Sequence, residues 1–203
     1  MDSREAVEHL ATIRKIMESA TKLTVLPGQA AIAGGILALA GSAVSYWLMG
    51  GMNFAAVSQM PDERRISLIL LWVIVAVAAI GLDIALTIRL ARRNGKSPWS
   101  RLAQLAAYAM GPAVLVAVAL SVAFGLRGLW EPLPAIWMML YGVAIWMASI
   151  LSTRAPGLLG LVFIGCGAIT LFWAAPVALA MVALTFGCAH VAYGVYLIAR
   201  YGG

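Results

Sequence analysis

Two side chains in this sequence could do chemistry where charged and titratable groups are rare. Asp83 lies in the apolar run from Ile66 to Leu90, and His190 in the run from Pro176 to Ile198. A carboxylate inside a hydrophobic crossing costs on the order of 3 kcal/mol near the centre, so it is kept where it meets a partner or a cavity. Read functionally, Asp83 titrates a proton or anchors a ligand. Read structurally, it pairs with Arg89 or another arginine reaching for the interface. His190 offers a proton relay with Asp83, a cofactor ligand, or a donor to a bound head group. The alternative is an imidazole satisfied by a neighbour's hydroxyl or backbone carbonyl. A direct Asp83–His190 pair would satisfy both groups, and the two runs cross in the same direction.

The neighbours of these residues define the rest of the candidate site. Gly187, His190 and Gly194 are spaced i, i+3, i+7, which sets the histidine on a strip that a second helix can approach closely. Tyr193 is beside it. Ala76, Ala79, Asp83 and Thr87 share one face of their run. His190 stands ten residues before Arg200, roughly 15 Å along a helix, and the Gly111-Pro112 break stands at a similar depth beyond Arg101. Asp83 is six residues before Arg89 and nine before Arg92, about 9 to 13 Å. Tyr108, Thr87, Ser149 and Tyr193 fall at similar or shallower levels, so the polar residues of several runs pool on one side. A proline frees a backbone carbonyl, which is tolerable against a cavity or another donor. Gly111-Pro112 is therefore a pocket wall or a packing kink. Cys166 and Cys188 read as small packing residues. Cys188 and His190 are two apart and point to different helix faces, so no metal site is expected. No cofactor is expected either, haem through His190 being the alternative.

These residues must be positioned by membrane-crossing helices. Of 203 residues, 63% are hydrophobic and only 11% charged, against roughly 25% charged in soluble domains. The expected fold is an all-α bundle of six transmembrane helices, over about 28–48, 66–90, 102–126, 135–153, 158–173 and 176–199, forming one unit from 27 to 203. Residues 1–26 form a separate element: Val7, Leu10, Ile13, Met17 and Ala20 recur three and four apart over 2–23, an amphipathic helix for the membrane face or the bundle mouth. A docking surface for a soluble cytoplasmic partner is its other reading. These first residues lack a signal peptide's apolar core, so no cleavage is expected. Gly34, Ala38 and Ser42 make a small-residue row on the first span. Eleven Lys and Arg fall on one side of the spans and three (Arg64, Arg65, Arg127) on the other, which puts both termini in the cytoplasm. The net charge of +6 is thus topogenic, and nucleic-acid binding is not expected. Trp47, Trp130, Trp137 and Trp173 fall near the opposite face, as an interfacial belt would.

The chain contains no nucleophile elbow, HExxH pattern, glycine-rich phosphate loop or paired carboxylates. Its two ends, ATIRKIMESATKLTVLPGQAAIAGGILALAG from Ala11 to Gly41 and FGCAHVAYGVYLIARYG from Phe186 to Gly202, resemble a family of small uncharacterised bacterial six-span membrane proteins. Such proteins share an IR..ME start and an FG..H..YG ending. The resemblance implies a bacterial inner-membrane location and a six-span bundle, and it brings no activity. The leading functional expectation is a non-enzymatic protein that binds or senses a lipid or small apolar ligand in a cytoplasmic-leaflet cavity near Asp83 and His190. A small proton-coupled secondary transporter is second, and a membrane enzyme acting on lipids or isoprenoids third. Membrane lipids are the expected partners, with a homo-oligomer also open.

Overall fold

The structure, a computed structural model, describes residues 28–93, 95, 97, 99, 101–150 and 154–201. The expected amphipathic helix over 2–23 lies outside the described residues. Among the described residues there are helices and turns but no strands. Five helices are long and apolar enough to cross a membrane. They are α1 (Gly28–Met49), α2 (Asp62–Arg93), α3 (Arg101–Leu126), α5 (Arg154–Phe172) and a terminal helix over Ala175–Arg200. Between α3 and α5 lies α4 (Leu133–Ser149), whose 17 residues reach about 25 Å at 1.5 Å per residue. The terminal helix is composite. A short 3-10 turn holding Pro176 leads into α6 (Ala178–Val182), a π-helical segment follows over Ala183–Ala189, and α7 (His190–Tyr201) completes it.

The helices pack as two triplets. In the first, α1 lies between α2 and the terminal helix; in the second, α4 lies between α3 and α5. Glycine sets the closest approaches. A Cβ on Gly28 would sit 2.6 Å from the Gly194 carbonyl, and one on Gly194 would sit 2.5 Å from the Gly28 carbonyl. Gly142 and Gly160 stand in the same relation across α4 and α5, at 2.6 and 2.7 Å. Without a hydrophobic driving force between helices in lipid, this close approach and the dispersion contacts it permits are what hold them together. In each triplet one outer helix, α2 or α3, is clipped to the middle helix by a tryptophan. Trp72 Nε1 donates to Ser45 Oγ at 3.0 Å, and Trp137 Nε1 to Ser121 Oγ at 2.8 Å.

Several expectations change in detail. The buried small row of α1 contains Gly35 rather than Gly34, together with Ala38 and Ser42. Gly35 meets the Gly187 carbonyl, whereas Gly34 faces Ala79 on α2. The break expected at Gly111-Pro112 is not a break: α3 runs through Pro112. Gly111 has open space around it, so the chain can bend there without a clash. Trp47 and Trp173 are exposed, as a belt requires, but Trp137 turns inward to Ser121 and Trp130 packs on a core. That core is partly made by the α1–α2 loop. Asn53 caps a short 3-10 helix (Phe54–Gln59) by accepting from the Ala55 N–H, and Phe54 and Val57 go down against Leu68, Ala178 and Leu179.

Candidate functional site

His190 opens α7 directly after the π-helical segment, and that position decides its bonding. Side chains on a helix lean toward its N-terminus, so this ring reaches back over the preceding turn. The π register widens that turn, and the carbonyl the ring meets is five residues back: Nδ1 lies 3.3 Å from the Thr185 oxygen. A carbonyl only accepts, so Nδ1–H donates. In the neutral ring Nε2 then accepts, and the Tyr141 hydroxyl of α4 donates to it at 2.9 Å. Both ring nitrogens are thus occupied, one by its own helix and one by the other triplet.

The pair is enclosed by aromatic rings. Tyr141 lies 5.1 Å from Phe163 and 5.0 Å from Phe186, centroid to centroid. Phe163 presents its edge to His190 at 5.3 Å and 84°, and Phe186 stacks on His190 at 6.2 Å. Phe163 is fully buried among Met138, Ile145 and Leu159, and Tyr193 and Cys166 pack against this same cluster. Edge-to-face rings add attraction beyond their buried area. Water has little access here, so each polar bond must be made within the protein.

Asp83 is exposed on α2 and makes no hydrogen bond or ion pair among the described residues. The Tyr141 hydroxyl nevertheless lies within electrostatic reach of it, as it does of Tyr193. Among the described residues α2 packs on α1 and α3 on α4, whereas α2 and α3, consecutive in the chain, share no comparable contact. The expected direct Asp83–His190 pair is therefore not formed, because Tyr141 and the Thr185 carbonyl already occupy the ring. Nor is the structural alternative, pairing of Asp83 with Arg89.

The other candidate residues divide between the cluster and its surroundings. Gly187 and Gly194 are buried on the α1 contact, one on each side of His190. Thr87 is half-buried one turn beyond Asp83. Tyr108 is 78% exposed and points away from the bundle, and Pro112 is exposed as well. Ser149 donates to the Trp146 carbonyl at 2.6 Å and packs on Gly157, at the α4–α5 turn. Cys166 and Cys188 diverge, Cys166 facing the aromatic cluster and Cys188 the outer surface. Among the described residues no three metal-ligating side chains converge.

The residue that sequence reasoning passed over is Tyr141. Its signal was depth: eight residues before Ser149, it stands roughly 12 Å from that end of α4, close to the level of His190. Against this geometry, comparisons of the chain with protein-family models, with curated proteins and with solved structures found no match.

Proposed function

We propose that the chain is a six-crossing protein of a bacterial inner membrane, both termini cytoplasmic, which binds or senses a lipid or small apolar ligand beside Asp83 and the Tyr141–His190 pair. The observation that carries this reading is an exposed Asp83 carboxylate, unpaired among the described residues, within electrostatic reach of the polar pair that joins the two triplets. Leaving that carboxylate without a partner in a hydrocarbon environment is costly. A molecule entering between α2 and α3 could relieve that cost with a donor group and bury its apolar part against the aromatic cluster. The six crossings include α4, which is short for a 30 Å hydrocarbon core but within what local thinning of the bilayer accommodates. The excess of positive charge on one side and the resemblance of the two chain ends support the orientation and the location.

Native mass spectrometry of the purified chain tests this reading. A lipid or small apolar molecule should stay bound to the wild type and be lost from Asp83→Asn with Tyr141→Phe. Its absence from gently purified wild type would end the proposal. One feature favours a second reading, a proton-coupled carrier: Tyr141, His190 and the Thr185 carbonyl form a continuous hydrogen-bonded chain within electrostatic reach of a carboxylate. In that case vesicles containing the protein would show uptake driven by a proton gradient, abolished by Asp83→Asn.

A further inference from the structure

Away from Asp83 and His190, a shallow cleft of about 440 Å³ lies between α1 and the terminal helix. Its walls include Leu39, Ala43, Tyr46, Leu179, Leu184 and Cys188. No charged side chain lines it, and the one buried hydroxyl in its wall, Ser42, is already bonded to the Ala38 carbonyl at 2.8 Å. Ligand sites of known proteins run from about 300 to 1,000 Å³, so the size suits a chain-like molecule.

The position of the cleft identifies its occupant. Along α1 it extends from Leu39 to Tyr46, seven residues or about 10 Å, and along the terminal helix from Leu179 to Cys188, nine residues or about 13 Å. One leaflet's share of a 30 Å hydrocarbon core is about 15 Å. At one end Tyr46 and Met52 stand at the α1–α2 loop, beside the exposed Trp47, where an aromatic ring marks the head-group level. At the other end the exposed Cys188 stands twelve residues before Arg200, near mid-depth along the helix. The cleft is therefore an apolar slot running from the interface to mid-depth, open on its side to lipid. We infer that it seats one acyl chain of a phospholipid from the leaflet on the side of the α1–α2 loop, with the head group held at the level of Tyr46 and Met52. This site is independent of the one beside Asp83, on another face of the terminal helix.

The test uses the full chain in vesicles of phosphatidylethanolamine and phosphatidylglycerol containing a phospholipid with a photoactivatable diazirine on its acyl chain. After illumination, peptide mapping should find adducts concentrated on 39–46 and 179–188. Ala43→Trp, which places an indole in the slot, should lower that adduct roughly tenfold, since excluding as few as two methylenes from contact already costs that factor. Adducts spread evenly over the exposed faces of α2 and α3 would overturn the proposal. So would a slot occupied by a second copy, read as protein–protein crosslinks through Cys188 in place of lipid adducts. The wild-type map decides even if Ala43→Trp fails to fold.

Discussion

The two triplets are built on the same device and differ in the helix that carries it. In each, small residues seven apart on one helix meet small residues seven apart on an antiparallel neighbour. Gly28 and Gly35 of α1 face Gly194 and Gly187; Ala135 and Gly142 of α4 face Gly167 and Gly160. One more step along α1 is Ser42, which lines the cleft together with Ala180 although its own side chain is buried. In the second pair a Cβ at Gly167 would sit 3.0 Å from the Ala135 carbonyl. The terminal helix changes register at Ala183–Ala189, a segment that holds both Gly187 of the close contact and Ala183, Leu184 and Cys188 of the cleft wall, whereas α5 is α-helical throughout. An extra residue in one turn rotates the following face and displaces the row. One π turn thus serves both regions, delivering the Thr185 carbonyl to His190 on one side and supplying Ala183, Leu184 and Cys188 to the cleft wall on the other.

The largest effect expected from this comparison is at the closest contacts. Gly142→Ile and Gly194→Ile each drive a branched side chain into a neighbouring backbone, at a cost of about 3 kcal/mol, the upper end for overpacking. The second triplet should suffer more, because the first can pivot into its cleft. Thermal unfolding in detergent should show a lower midpoint for Gly142→Ile. Equal losses would mean that the cleft gives the first pair no freedom. A smaller effect is expected where the triplets meet. Tyr141→Phe leaves a ring nitrogen of His190 without its donor, costing about 1 to 3 kcal/mol. Adding His190→Phe removes the orphaned group, so the double variant should be less impaired than the sum of the singles. Simple additivity would mean that the 2.9 Å bond contributes nothing to the join.

Much of this layout was legible from residue spacing, and the failures have physical causes. Long uncharged runs set the helix positions, since an unpaired backbone is not tolerated in hydrocarbon and each run must be helical from end to end. Gly187 and Gly194 announced a close contact because nothing else in that helix leaves room for one. Gly34 and Gly35 could not be ranked by spacing alone, since each begins a row of small residues and only the partner's direction separates them. Tyr141 was overlooked because a lone tyrosine in an apolar helix reads as core until its partner is known. Nothing in Ala183–Ala189 distinguishes a π turn from an α turn, because the register is imposed by packing on α1 and by the ring of His190. Phe54 and Val57 looked like loop residues, although their i, i+3 spacing and the Asn53 cap carried the sign of a buried turn.

The smallest effect discriminates most finely between the two regions. Gly187→Ala and Gly167→Ala are the same change at corresponding places. At Gly167 the new methyl meets the Ala135 carbonyl and the Met139 nitrogen, both at 3.0 Å, and backbone in a closed contact cannot retreat. That variant should lose about 1 to 3 kcal/mol. At Gly187 the methyl meets the Leu39 side chain, its nearest atom 2.5 Å away. Leu39 lies on the cleft wall, so it can change rotamer into open space at little cost. Alanine also gains up to about 1 kcal/mol over glycine within a helix. Gly187→Ala should therefore unfold within a degree or two of the wild type, and its moved leucine should slow alkylation of Cys188 in the same cleft. If Gly187→Ala proved as damaging as Gly167→Ala, the first pair would be as tightly closed as the second, and the cleft could not be open space into which a side chain moves.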